Sequence, residues 1–521
     1  MTAPLTAARR RIGFAVCLVT MLLAVLDQNI VSAVTVPIAR DLDPVHGIDR
    51  IPWLITAFAL AATAALPLYG KLCDTLGAKR VFLGAVAIFL AGSALCGAAG
   101  SMEWLIAFRA VQGVGGGGLM SVTMVVIAQL KDPARKGAAR GSAVGGLVAG
   151  AGMALGPLLG AYLADHADWR WIFYVNLPIG VAVLAVAAVV LDLPVPGARH
   201  RLDYLGAALA AAFSIALLLL TEWGGRKYAW GSPVVLGLIG GAAVLLALFL
   251  WRQATAAEPV LPLGLFRVRT VRVAFAVQAL AGVAMMGSIV YVMLYLQVAR
   301  GVDPTDASLF MLPLALGLTA VGLLTARLGW LPRTTVLSGS VCAGLAMGLL
   351  ALSGTGTDLW AVRGEMLLLG VGFGQLLGQL IVMVQQAVPV RRLGVATTGI
   401  RFFQTLGGAL GTALFGTVLA RVYAAEGPGG SASGIAALRG GERADAVAAF
   451  TSAVDVVFLC AAGAMALALV LALRLPRGAV EEESPGPALS PFPGARPGPR
   501  SNAAARVSPQ TPDGLFSPSG V

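Results

Sequence analysis

The chain has 521 residues, 58% of them hydrophobic and only 12% charged, where a soluble domain carries about 25% charged residues. So apolar a chain cannot cover a water-facing surface with polar groups, which excludes a soluble fold and leaves a protein whose solvent is lipid. The net charge of +12 does not indicate nucleic acid, because no basic block interleaves with aromatics and most Lys and Arg stand in short segments between apolar runs.

Fourteen apolar stretches follow one another, each near the ~20 residues that a helix needs to cross ~30 Å of hydrocarbon. The pattern places spans near 12–36, 51–70, 81–100, 104–128, 140–163, 170–191, 202–222, 232–252, 271–296, 306–327, 333–353, 361–386, 394–420 and 450–474. The first run follows Arg9, Arg10 and Arg11 but is too long for a signal peptide. With residues 1–11 in the cytoplasm and strict alternation, 22 Lys and Arg fall inside and 10 outside, in the direction the positive-inside rule requires. Both termini are then cytoplasmic. Residues 424–447, rich in Gly, Ala and Ser, read as an outer loop. Residues 476–521, rich in Pro, Ser and Gly, cannot bury a core and read as a disordered cytoplasmic tail. Five scattered cysteines and three histidines in loops give no disulfide framework, no metal spacing and no nucleophile dyad, so no metal and no enzyme is expected.

The first span carries Asp27. A carboxylate in hydrocarbon is costly and defaults to a functional reading, and burial favours its protonated form; a structural ion pair is the alternative. In the fourth span Arg109 stands five residues from the outer end. At 1.5 Å per residue Arg109 and Asp27 lie about 8 and about 7 Å below the outer surface. The two are expected to face one cavity and to couple directly, through Gln112 or through water. The run Gly115–Gly118 is no phosphate loop, since no Gly-Lys-Ser/Thr follows and it lies within a span.

Between the second and third spans stands Gly70-Lys71-Leu72-Cys73-Asp74-Thr75-Leu76-Gly77-Ala78-Lys79-Arg80. Its glycines permit a tight reversal, and Asp74 lies beside a helix end among cations. In the fifth span Gly152, Gly156 and Gly160 share one face and Pro157 favours a kink; ordinary small-residue packing is the alternative reading. Polar residues near mid-span include Gln278, Gln375, Gln379, Gln385, Arg401 and Gln404, either helix glue or cavity lining. Met285, Met286 and Met293 suit an adaptable pocket or plain packing. Glu365 and Asp455 lie near outer helix ends, where snorkelling to water is expected.

The Gly70–Arg80 loop resembles the cytoplasmic signature loop of the major facilitator superfamily, where the Asp pairs across helices as a gate latch. Gly152-Met153-Ala154-Leu155-Gly156-Pro157-Leu158-Leu159-Gly160 resembles that superfamily's antiporter motif, which marks exporters. Arg109–Gly118 resembles a fourth-span motif whose Arg is assigned to proton transfer. Leu26-Asp27-Gln28-Asn29-Ile30-Val31 and Trp169–Gly180 resemble the fourteen-span drug:proton antiporters, the latter segment taken as structural. Two departures stand out: Ser32 where that group has Asn, and Pro37 one residue late. Tyr295-Leu296-Gln297 and Phe402–Ala409 are similar to the same group, but Arg401 and Gln404 stand where better-known relatives keep carboxylates, which disfavours polycationic substrates.

The resemblance implies an all-α membrane protein with fourteen helices arranged 6+2+6: halves 12–191 and 271–474, with inserted helices over 202–252. It implies proton-coupled export of drugs or antibiotics from a bacterial cytoplasmic membrane by a monomer, with the proton gradient as energy source and no cofactor. Asp27, Arg109 and Gln112 would couple protons, Gly70, Asp74, Gly77, Lys79 and Arg80 would gate, and Asn29, Gln278, Gln379, Arg401 and Gln404 would line the substrate cavity. A proton-coupled importer of a nutrient or siderophore and a non-transporting sensor or channel are the alternatives; the glycine stripe argues against the first, the latch loop together with Asp27 against the second.

Overall fold

The computed structural model describes residues 6–43, 47–130, 151–193 (without 153, 154, 157, 158, 161, 164 and 165), 203–224, 227–328, 331–427, 435, 438 and 440–476. Among them no strand forms, only a lone bridge between Gly224 and Tyr228. The chain opens with α1 (Ala7–Ala33), α2 (Thr35–Leu42), α3 (Gly47–Leu76), α4 (Ala78–Gly97) and α5 (Met102–Leu130). Residues 151–163 are helical wherever described. Next come α6 (Trp171–Tyr174), α7 (Asn176–Val190), α8 (Tyr204–Trp223) and α9 (Pro233–Thr255). Helix α10 (Arg269–Leu294) runs into a π turn over Tyr295–Ala299. The rest comprises α11 (Pro304–Leu309), α12 (Met311–Leu328), α13 (Pro332–Leu350), α14 (Leu359–Gln386), α15 (Leu393–Glu426) and α16 (Gly440–Ala472).

Local chemistry sets the helix ends. Thr6, Asp203, Ser232 and Asp358 each accept a bond from an amide of the first turn, satisfying donors that have no intrahelical partner. Pro233 and Pro332 take first-turn positions, where the missing N–H is harmless. Three other prolines break expected spans. A proline ring clashes with the carbonyl four residues upstream, and the helices before Pro37, Pro178 and Pro313 end at Ala33, Tyr174 and Leu309. The expected 12–36, 170–191 and 306–327 stretches are therefore each two helices. Pro67 lies inside α3 without ending it. Gly77, at φ 88°, makes the reversal from α3 to α4, a backbone region that side chains disfavour.

Among the described residues twelve helices are long and apolar enough to cross a membrane. The expected 140–163 span falls largely outside the described residues. The apolar part of α12, Met311–Val321, is shorter than a crossing. Apolar burial gathers in separate cores: residues of α1, α3, α4, α5 and α7 in one set, and residues from Ala210 to Leu475 in another. Helices α8 and α9 are peripheral. Only 17% of each apolar window is buried, against 72% in α5. An edge contact of Trp223 with Trp53 of α3 ties α8 to the bundle, and an Arg252–Asp203 ion pair at 2.9 Å joins α9 to α8.

Candidate functional site

Helix α5 is wedged between α3 and α4, and its glycines make this possible. A Cβ on Gly113 or Gly117 would strike the backbone of Phe58 or Ala62 in α3. A Cβ on Gly115 would strike the backbone of Phe89 in α4. From α4, Gly92 sits against Gln112, where a Cβ would lie 2.5 Å from its Cα. The glycine run is a packing surface for close helix approach.

That approach buries a polar network around Asp27. The carboxylate is wholly buried and Arg109 is 2% exposed. Arg109 Nη1 donates to Asp27 Oδ2 at 2.9 Å and to Gln112 Oε1 at 2.7 Å, while its Nε donates to the Leu54 carbonyl at 3.2 Å. The guanidinium also lies 4.3 Å from the centre of the Phe58 ring. Asp27 Oδ1 accepts from Gln112 Nε2 at 2.8 Å and from Asn176 Nδ2 at 2.9 Å. Ser93 accepts from both amides, at 3.1 and 3.0 Å, and donates to the Phe173 carbonyl at 2.9 Å. Asp27 and Arg109 thus form a direct ion pair, with Gln112 as a second bridge between them. Neither side chain of the pair is exposed, and residues of α1, α3, α4, α5, α6 and α7 surround it.

Two members were not anticipated. Asn176 stands in the Trp169–Gly180 segment, read above as purely structural; it opens α7 just after the break that Pro178 imposes, and there its amide reaches Asp27. Ser93 is a lone hydroxyl in an apolar span. The signal that could have found both is the one used for Asp27, a polar side chain within hydrocarbon.

The glycine stripe lies against the same carboxylate's helix. A Cβ on Gly156 would come 2.6 Å from Asn29 Cβ, and one on Gly152 would strike the Val25 side chain. Gly160 is buried; Pro157 lies outside the described residues. Asn29, expected in the substrate cavity, is half-buried and donates to the Val25 carbonyl of its own helix at 2.7 Å.

The expected Gly70–Arg80 loop is the last turns of α3 and the first turn of α4, joined at Gly77, and its α3 part binds the other half of the chain. Asp74 Oδ1 accepts from the Gly394 amide at 2.7 Å and Oδ2 from the Val395 amide at 3.0 Å. The carboxylate thus caps the N-terminus of α15, where free N–H groups and the helix dipole favour an anion. Its hydrogen bonds go to amides, not to the cations of its own loop. Close approach again needs glycine: a Cβ on Gly70 would strike Thr398 and lie 2.9 Å from Val395 Cα, and one on Gly394 would lie 2.5 Å from Asp74 Oδ1. At this end Gln385 Nε2 also reaches the Met124 carbonyl at 3.4 Å. Lys71 pairs with Glu258 at 3.3 Å, and Lys79 donates to the Ala188 carbonyl in the last turn of α7 at 2.8 Å. Arg80 is exposed.

Of the remaining cavity candidates, Gln379 and Gln404 are buried, Gln278 is wholly buried, and Arg401 is half-buried, donating to Gln404 Oε1 at 3.0 Å. Glu365 does not snorkel. It is 8% exposed, and both its oxygens lie within hydrogen-bond reach of the Ser353 hydroxyl. At the end of the bundle opposite Asp74, Asp41 accepts from the Trp169 indole and from Arg170, both at 3.0 Å. The indole N–H first, then the Arg170 guanidinium, hold the Asp41 carboxyl below the ordinary carboxylate range.

Among the described residues the chain is a helical multi-pass bundle with a buried Arg109–Asp27 ion pair and a carboxylate, Asp74, that caps a helix of the C-terminal part. Residues 16–204 and 202–412 each match the family profile described as Major Facilitator Superfamily. The chain belongs to the major facilitator superfamily. It is 34% identical over 491 residues to the MFS-type transporter Rv1877 of Mycobacterium tuberculosis, covering 90% of this chain and 70% of that one. It is 30% identical over 406 residues to the multidrug transporter MdtP of Bacillus subtilis, covering 77% and 74%. The structure of the proton:xylose symporter XylE superposes with a TM-score of 0.60 at 12% identity over 89% of this chain and 95% of that one, a likeness of fold alone.

Proposed function

We propose that the chain exports small molecules, drugs or antibiotics among them, from the cytoplasm in exchange for protons. The observation that carries this reading is the wholly buried Asp27, held by Arg109, Gln112 and Asn176. Protonation of Asp27 removes the counter-charge of Arg109. A buried guanidinium without its partner is unstable by about 3–5 kcal/mol, so proton uptake supplies a drive for the helices to rearrange. Proton loss to the other side restores the pair. The glycine stripe lies on the Asp27 helix, so movement of either helix is felt by the other. The multidrug transporter MdtP, at 30% identity, supports export of drug-like substrates.

In this reading the fold has fourteen spans, the twelve above with the 140–163 and 306–327 stretches added. Halves 12–191 and 271–474 flank the inserted pair 202–252, in a bacterial cytoplasmic membrane with both termini inside, and the protein acts as a monomer. Asp74 then latches the cytoplasmic end, and the halves rock about a site between them. Expression in a pump-deficient bacterium tests this. Dye efflux should rise and collapse when a protonophore is added; efflux that survives the protonophore would contradict proton coupling.

A further inference from the structure

A guanidinium keeps its charge at every pH a protein meets, and within a membrane span it needs a counter-charge or polar partners. Arg109 has them. Arg401 lacks the counter-charge: among the described residues no carboxylate pairs with it, and one of its five N–H donors is used, on Gln404. One helix away stands a second unsatisfied group. Gln278 is wholly buried, and neither its Nε2 nor its Oε1 has a hydrogen-bond partner. Buried amides are almost always bonded, and each exception calls for a reason.

The two lie at one depth. Helices α10 and α15 run parallel: Phe275 stacks on Phe403 at 5.1 Å between ring centres, Gly282 packs on the Gln404 carbonyl, and Gly287 packs on Phe415. Gln278 is nine residues into α10 and Arg401 eight into α15, about 14 and about 12 Å from the helix starts, near the middle of the bilayer. Gly394, Thr398, Arg401 and Thr405 share one face of α15 by their spacing. The first two are buried against α3, Arg401 is half-buried and Thr405 is exposed. Along this face, burial against α3 at the Asp74 end gives way to partial exposure at Arg401. Met285 and Ile289, seven and eleven residues beyond Gln278 on its face of α10, are half-buried as well.

We propose that Arg401, Gln404 and Gln278 bind the acid group of the transported molecule, so that the substrates are amphiphilic monoanions, carboxylates or sulfonates. A guanidinium offers such groups two parallel N–H donors, and Gln278 Nε2 adds a third from the neighbouring helix. One fixed cation balances one negative charge. The half-buried face of Met285 and Ile289 beside it suits a variable apolar body. The proposal rests on the export reading.

Its test uses the full chain in lipid nanodiscs with a matched pair of probes, monoanionic dansylglycine and monocationic dansylcadaverine, with binding read by fluorescence anisotropy. The wild-type chain should bind the anion about ten-fold tighter or more, the effect of a charge-assisted bond pair. Arg401→Gln should erase that preference and Arg401→Lys keep most of it. Gln278→Leu should weaken the anion several-fold while raising the melting temperature, since it removes an orphaned amide; a merely structural Gln278 would lower it. A chain that binds neither probe, shows no preference for the anion, or keeps its preference in Arg401→Gln overturns the proposal. Proteoliposomes with an imposed pH gradient separate it from the export reading. Gradient-driven transport of the cation alone sinks the anion site and leaves export standing, whereas anion-selective binding with no gradient-driven transport of either probe sinks proton-coupled export and leaves the site.

Discussion

Replacing Asp74 with Ala removes both acceptors from the first turn of α15. The bonds at 2.7 and 3.0 Å are to a charged group, and such bonds contribute about 1.5–3 kcal/mol each. Asp74 is only part-buried, so about 2–4 kcal/mol for the pair is a fair figure. If the bonds exist only while the cytoplasmic end is closed, their loss shifts the closed–open balance toward open by about 30- to 700-fold. A native reporter stands next to the latch. Cys73 is 2% exposed, and a Cβ on Gly394 would lie 2.8 Å from its own Cβ. In a chain whose other four cysteines are serine, the rate at which N-ethylmaleimide alkylates Cys73 follows the open fraction when closing is fast. That rate should rise more than ten-fold in Asp74→Ala. Asp74→Asn, which keeps one acceptor, should fall between. An unchanged rate in Asp74→Ala would refute the latch.

Arg109→Ala leaves Asp27 buried without its cation and should cost about 3–5 kcal/mol of stability; adding Asp27→Asn should recover much of the lost melting temperature, and strictly additive losses would argue against the pair. Gly156→Val drives a side chain into Asn29, a clash of the kind that costs about 1–3 kcal/mol, and should lower both melting temperature and efflux; wild-type behaviour would place the stripe elsewhere. Asp41 has its carboxyl held low by Trp169 and Arg170. A depressed folded value stabilises above the ordinary carboxylate range and is lost as pH falls through the depressed one. The melting-temperature gap between wild type and Asp41→Asn should therefore be level from pH 7 to about pH 5 and close below about pH 4; a gap that closes near neutrality would contradict the pairing.

Helix positions were legible because hydrocarbon demands long apolar runs, and Asp27 and Arg109 because charges are rare there. Matching depths sufficed to pair them. The breaks at Val34, Val175 and Phe310 were written in Pro37, Pro178 and Pro313, which a count of apolar residues passes over. Asp74 was legible as a carboxylate that pairs across helices, its partners were not: two backbone amides about 320 residues away carry no side-chain signal, and only Gly394 hints at the close approach. Asn176 was hidden among aromatics that suggested an interface. Glu365 was expected to reach water because position along a helix gives depth but not the packing around it, and Ser353 holds it inside. Gln278 could be ranked only as one glutamine of several until its two unpartnered atoms set it apart.

The central claim is that Asp27 carries the proton. Purified wild-type chain in proteoliposomes with an acidic lumen should accumulate a transported dye and alkalinise the lumen in step with it. Asp27→Asn should still bind the dye and exchange it across the membrane at equal concentration, yet show no gradient-driven accumulation and no coupled proton flux. Gradient-driven accumulation retained in Asp27→Asn would contradict the account.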